Sequence, residues 1–369
     1  MKKRSLTKKA GKNKPNRLSI SLFPIILAFV GLLFVFEASS VKGFSEFTDS
    51  FYFFKLQGLW IVLSLGAMLF FSYFDYHKLY YLSFPLMMAT IILLILVLIP
   101  GIGTSAGGAR RWIDLGIINF QPTEVAKFSV IIYLSSWFLH KERKRFFSFI
   151  ALLGLLVSLI ILQPDMGTAI IVFSLSIIIY FLAGIQLSYM VAFMPIAVIG
   201  FLFLIKISPY RFKRFTAFLN PESDPLGIGY HINQIQISLS NGGLLGQGFG
   251  ASRQKYLFLP EAHTDSIFAI IAEEFGFIGS FLLIFAFFVL IYKIYEIAVN
   301  APDRFGKFLA DGIFAYFGLQ LIINLAGMVN LLPLTGVPLP FISYGGSNLI
   351  VSFTLMGILL NISRKTKKA

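Results

Sequence analysis

Cysteine is absent from the 369 residues, and charge is scarce, with Asp, Glu, Lys and Arg making up 13% of the chain. Without thiols, disulfides, thiolate catalysis and Cys-ligated zinc or iron–sulfur centres are excluded. Four histidines, none in the spacing His-Glu-x-x-His, leave no ready-made zinc site. Acidic residues are the scarcer sign, 17 against 31 basic, for a net charge of +14. Apolar side chains fill the space that charge leaves. They make up 57% of the chain, with 42 phenylalanines and a mean hydropathy of +0.81, outside the range of soluble domains.

A bilayer core needs about 20 apolar residues per helix. Ten stretches qualify, near 18–39, 54–74, 79–99, 122–139, 147–162, 167–182, 187–207, 265–292, 308–330 and 348–362. The pattern predicts an all-α polytopic membrane protein with ten transmembrane helices. Basic residues sort the breaks into two sets. The tail 1–17, the break 140–145 and the tail 364–369, with Lys78, Lys293, Arg304 and Lys307, hold twenty of the 31. Positive residues concentrate inside, so this set and both termini are expected in the cytoplasm. One membrane domain, 18–363, then lies between two basic tails. Basic charge just inside the membrane suits anionic lipid headgroups, and nucleic acid is not expected as a partner. Small residues in "FEASS" could end a signal peptide, but the first stretch is long for one and nine more follow.

Three segments assigned to the outside are too long for simple connections: 100–127, 331–348 and the large extracytoplasmic loop 208–264 between helices seven and eight. Their glycines lack the strand before and the Lys-Ser/Thr helix start after that a phosphate loop needs. "SRQK", 252–255, has the Ser-x-x-Lys spacing of penicillin-interacting serines without the accompanying Lys-Thr-Gly.

Ionisable groups at membrane depth mark function by default. Glu124 and Lys127 share a helix face and can pair. Asp165, after a proline, can cap the next helix. Glu273 and Glu274 lie two turns beyond Asp265 on different faces, and at least one is expected to pair with a neighbouring helix. Asp265 stands where the long outer loop meets the membrane, beside His263 and Thr264. Two roles stay open for it, helix capping and a carboxylate base whose pKa burial raises and nearby cations lower.

Several stretches together carry a family resemblance: "GGARRWIDLG", "QPTEVAKF", "LQPDMGTA", "FLNPESDPLGIGYHINQ", "GGLLGQGFGASRQKYLFLPEAHTDSIFAIIAEEFG" and "GVPLPFISYGGSN". In this order they resemble the SEDS family (shape, elongation, division and sporulation), the bacterial peptidoglycan glycan-strand polymerases. "SRQKYLFLPEAHTD" is closer to the division branch (FtsW type) than to the elongation branch (RodA type). Ser266, Asn348 and His231 depart from the commoner residues. The resemblance implies ten helices and a location in the bacterial cytoplasmic membrane, at the division septum. It implies a reaction that joins lipid II units into β-1,4 glycan with release of undecaprenyl pyrophosphate, with Asp265 catalytic. Substrate-binding residues are expected among Arg110, Arg111, Trp112, Glu124, Lys127, Asp165, Arg211, Arg214, Gln234, Lys255, Glu261, His263 and Ser343. No cofactor is expected to be built in. Cations, with or without a divalent ion such as Mg2+ or Mn2+, would neutralise the departing pyrophosphate. The implied partners are a class B penicillin-binding protein that crosslinks the glycan, other divisome proteins and membrane lipids. A lipid II flippase, a scaffold for the transpeptidase, and an elongation or sporulation paralogue are the competing readings.

Overall fold

The computed structural model describes residues 17–106, 109–114, 116, 119–139, 146–184 and 187–366. The basic segments 1–16, 140–145 and 367–369, on which the sidedness leans, lie outside them, as do Gly107 and Gly108.

A helix forms at each of the ten expected stretches. They are α1 (Arg17–Phe47), α2 (Tyr52–Tyr73), α3 (Lys78–Leu96), α4 (Pro122–Trp137), α5 (Phe146–Leu162), α6 (Met166–Leu182), α7 (Leu187–Ile207), α10 (Ile267–Val299), α11 (Arg304–Met328) and α12 (Gly346–Lys365). By length and composition six of them, α1, α2, α3, α10, α11 and α12, can cross a membrane. With 16 or 17 residues, α4, α5 and α6 fall short of the ~20 that a full bilayer core requires. Helix starts follow local chemistry. Pro122 opens α4, where its missing N–H costs nothing. Asp303 caps α11 by accepting from the Gly306 N–H at 2.9 Å.

Two elements were not expected. The segment 100–127 folds into a three-stranded antiparallel sheet, β1 (Gly103–Ala106), β2 (Ala109–Asp114) and β3 (Asn119–Phe120), with Thr104 opposite Trp112 and Ile113 opposite Phe120. The reading as all-α therefore gives way to mostly helical. The "ARRWID" strand is short and mostly part-exposed. The loop 208–264 also contains α8 (Pro209–Leu219) and α9 (Ile228–Gly242), both too polar to span.

Hydropathy and burial run in opposite directions. The α10 window has hydropathy 2.5 and is 17% buried within the protein, while α12 has 1.5 and is 83% buried. The most apolar of the six long helices is the least covered by protein, as suits Leu and Phe side chains that lipid can solvate. The central helix uses polar side chains to hold its neighbours. Asn348 donates to Glu124 at 3.0 Å, and Asn361 donates to the Ser72 carbonyl at 3.0 Å and accepts from the Tyr76 N–H at 3.2 Å. Around α12 pack α2, α4, α1, α10 and α11.

The expected eighth span, 265–292, is corrected in two ways. Asp265 lies before the helix, not in it, and α10 breaks at Gly276 (φ 64°, ψ −162°) and continues to Val299. The segment after α9 enters the break. Gln247 and Gly248 N–H groups donate to the Glu273 and Glu274 carbonyls at 3.0 Å. Phe277 and Ile278 N–H groups donate back to Gly243 and Leu244 at 2.9 and 3.2 Å. Backbone groups freed by the break are thereby paired within protein, as membrane depth demands. Gly242, Gly246 and Gly276 leave no room for a Cβ at this crossing.

Candidate active site

Asp265 sits in a tight turn between α9 and α10. Its start is Glu261, a non-glycine residue held at φ 51°. The Thr264 and Ser266 N–H groups donate to the Glu261 carbonyl at 3.1 and 3.2 Å. Asn324, near the C-terminal end of α11, donates to the carbonyls of Asp265 and Val337, both at 2.9 Å. That one amide ties the turn to the segment 331–345, which runs back into the bundle. Ile342 there packs against Gly31 of α1.

Only 9% of Asp265 is exposed. Thr264 Oγ1 lies 3.3 Å from Oδ1, and a Cβ on Gly336 would lie 3.7 Å from Oδ2. On this side the turn faces a residue without a side chain. Burial, joined by the negative charge of Glu261, pushes the Asp265 carboxyl up to about 6, with Arg214 pulling the other way. Helix capping does not explain the residue. The N-cap of α10 is Ser266, and no side chain caps that end. A carboxylate with raised basicity, mostly ionised at neutral pH and not consumed by a structural bond, can take a proton from a substrate hydroxyl.

The neighbours separate into those that face Asp265 and those engaged elsewhere. Glu261 acts on it electrostatically from the exposed end of the turn, and Arg214 of α8 acts on it with the opposite sign. The Arg214 guanidinium lies over Tyr210 and donates to the Leu334 carbonyl at 3.0 Å, while its Nε is buried without a partner. Arg211, one turn earlier, donates to the Ile161 carbonyl at 2.8 Å, and its Nε is likewise unpartnered. Among the described residues neither guanidinium has an ion-pair partner, which suits both to an anionic ligand. His263 is packed between Phe53 and Tyr344. Burial, with Lys42 nearby, lowers it to about 4, so it is neutral at neutral pH. His231 is also lowered to about 4 by burial, and its Nε2 lies 2.7 Å from Ser266 Oγ. Gln234, on the next turn of α9, is half-buried.

Three other expected cations, Arg111, Lys127 and Lys255, are already satisfied. Arg111 donates to the Gln163 carbonyl at 3.2 Å and to the Pro164 carbonyl, fastening the sheet to the α5–α6 junction. Arg110, its neighbour on the strand, is exposed on the opposite face, and Trp112 is half-buried. Lys127 pairs with Glu124 at 2.7 Å, both buried, with the Lys127 ammonium over Tyr316. Asp165 caps α6 through the Thr168 N–H at 3.1 Å. Lys255 bridges Glu37 of α1 at 2.5 Å and Glu274 at 3.4 Å, two turns away from Asp265. Glu273 accepts from Ser252 at 2.5 Å and from Asn241 of α9 at 3.4 Å, the neighbouring-helix pairing expected for this doublet. Ser343 accepts from the Leu339 N–H at 2.8 Å, satisfying a buried backbone donor.

Sequence reasoning missed Thr264, Asn324 and Gly336 as members of the site. A lone asparagine within the apolar "LIINLAG" was the available signal for Asn324. Among the described residues, no group of three or more His, Asp or Glu side chains could hold a metal. Asp265 and Glu261 alone do not make a resident metal cage.

The comparisons with known proteins agree with this architecture. The family model described as "Cell cycle protein", covering FtsW, RodA and SpoVE, matches residues 17–368. A probable peptidoglycan glycosyltransferase FtsW of Geobacter sp. (strain M18) is 39% identical over 95% of this chain and 97% of its own length. Stage V sporulation protein E of Bacillus subtilis (strain 168) is 40% identical over 96% of this chain and 99% of its own. A chain from a solved peptidoglycan synthase complex, described for the coordination of polymerization and crosslinking, superposes with a TM-score of 0.78 at 25% identity, covering 95% of this chain and 98% of that one. The rod shape determining protein RodA of Thermus thermophilus has the same fold, with a TM-score of 0.69 at 24% identity over 94% of this chain and 96% of its own. The chain belongs to the FtsW, RodA and SpoVE family of cell cycle proteins.

Proposed function

We propose that this protein is a peptidoglycan glycosyltransferase that polymerises lipid II in septal wall synthesis, with Asp265 as general base. The observation that carries the reading is a buried carboxylate that caps no helix, at the loop-to-helix junction before α10, beside Gly336 and within electrostatic reach of Arg214. In the proposed step the GlcNAc 4-hydroxyl of the acceptor loses its proton to Asp265. Its oxygen attacks C1 of the donor MurNAc, and the α-linked pyrophosphate departs with the bonding electrons. One displacement inverts α to β, so a second carboxylate nucleophile is unnecessary. Positioned base assistance contributes about 10²–10⁴-fold. Arg214 and Arg211 are the cations best placed to receive the pyrophosphate. A Mg2+ or Mn2+ ion, if used, would be carried by the pyrophosphate oxygens, and no step is routed through it.

In this reading the ten helices cross the bacterial cytoplasmic membrane with both ends inside, and α8 and α9 lie at the outer surface. The lipid tail of the substrate stays in the bilayer while its sugars reach Asp265. A class B penicillin-binding protein completes the wall by crosslinking, alongside other divisome proteins.

The test is glycan synthesis from labelled lipid II by the purified protein with its transpeptidase partner. Wild type should yield polymer and Asp265→Asn none, with unchanged folding and partner binding. The broken α10 also suits a transporter, since discontinuous helices line many transport sites. Faster lipid II scrambling in liposomes, without polymer, would favour a flippase instead.

A further inference from the structure

A buried base faces a problem that its first turnover creates. Once Asp265 holds the acceptor's proton, it must return that proton to water before the next cycle. The carboxylate itself has little access to solvent.

The turn 261–266 contains a way out. Thr264 Oγ1 lies 2.7 Å from Glu261 Oε2 and 3.3 Å from Asp265 Oδ1, with the Glu261 carbonyl at 3.1 Å. Three acceptors surround a hydroxyl that has one proton to give. The short contact to Glu261 places that proton on the Glu261 side, so a lone pair of Thr264 is left for Asp265. Glu261 is exposed, whereas Asp265 is buried. The backbone at Glu261 is held at φ 51°, a conformation that a glutamate adopts at a cost of about 1–3 kcal/mol and that persists where the surroundings require it.

We propose that Glu261, Thr264 and Asp265 form a proton relay that carries the acceptor's proton from the buried base to bulk water. This rests on the reading of Asp265 as the base. The Oδ1–H bond of protonated Asp265 breaks and its proton passes to Thr264 Oγ1. In the same movement the proton of Thr264 passes to Glu261 Oε2, leaving the threonine hydroxyl unchanged. Glu261 then releases the proton to water, and the net result is ionised Asp265 and one hydrated proton.

The surrounding charges give the relay its direction. Although partial desolvation works against ionisation, the Thr264 hydrogen bond and the positive charge of Lys42 of α1 hold Glu261 below the usual carboxylate range. Burial and the Glu261 charge raise Asp265, and Arg214 of α8 opposes them. Transfer to Glu261 is therefore uphill and brief, and release to water at neutral pH is downhill. In this relay both Thr264 and Glu261 act through Asp265.

The experiment measures polymerisation of lipid II by the protein with its transpeptidase partner, in dilute buffer and in concentrated imidazole. Glu261→Gln and Thr264→Val should each lower kcat at least about ten-fold in dilute buffer. KM should stay unchanged, and imidazole, by accepting the proton directly, should restore much of the rate. Thr264→Ser keeps the hydroxyl and should behave as wild type. Unchanged kcat in both Glu261→Gln and Thr264→Val, or a loss that imidazole leaves untouched, would overturn the relay. Asp265→Asn is the separate control. If it stays dead while the other two keep full rate, the base stands and the relay falls; if it polymerises, the base reading falls first.

Discussion

Asp265 is a carboxylate whose surroundings raise its basicity. Its protonated form is inactive as a base, so polymerisation should rise with pH through about 6 and level off above. Glu261→Gln removes a negative charge that helps to raise Asp265, and the acid limb of the remaining activity should move to lower pH. A pH–rate profile of each protein measures both, and an unmoved limb would mean that Glu261 does not sense Asp265. The residue itself was legible in the sequence, because an aspartate at the end of a long polar loop and the start of an apolar run is costly without a purpose. Its partners were not. Gly336 and Asn324 come from segments about 60 to 70 positions away, and nothing local to Asp265 names them.

At the scale of elements, α10 depends on its break. Gly276 holds φ 64° and ψ −162°, a region closed to other residues, and a Cβ there would meet the backbone of Leu244 and Gly246. Gly276→Ala should therefore cost about 1–3 kcal/mol from backbone strain alone. A lowered unfolding temperature in detergent would reveal it. The loop that enters the break is fastened by Lys255 to Glu37 and Glu274. Lys255→Met would leave two carboxylates in the protein interior without their cation, a loss of about 3–5 kcal/mol. Adding Glu274→Gln should recover part of it, and additive losses in the double variant would argue against a shared network. The sequence displayed these charges but assigned Lys255 to substrate and did not pair it with Glu37, 218 positions away. The sheet β1–β3 was missed for a different reason. Its strands are short and bounded by glycines, and their pairing becomes visible only when Arg111 reaches the α5–α6 junction.

The whole molecule arranges its helices by what each must touch. Of the six long helices the one with the highest hydropathy is the least covered by protein, and polar α12 stands at the centre. The sidedness proposed from basic residues can be tested directly, because the chain has no cysteine to interfere. A membrane-impermeant maleimide applied to intact spheroplasts should label Ser223→Cys between α8 and α9. It should label Lys307→Cys at the start of α11 only after lysis. Both positions are exposed, and the reverse result would invert the topology.

Composition, apolar run length and the placement of Lys and Arg determined by themselves that this is a helical membrane protein, where along the chain its ten long apolar helices lie, and which acid stands at the loop-to-helix junction. These features are local, being set by the transfer energies of contiguous side chains and by the charge next to them. Only the tertiary structure decided which cations remain unneutralised, which hydroxyl stands beside the base and where the irregular backbone finds its hydrogen bonds. Those outcomes depend on pairings between distant segments, and a polar residue in a chain looks the same whether it will meet a substrate, a carbonyl or an ion of opposite charge.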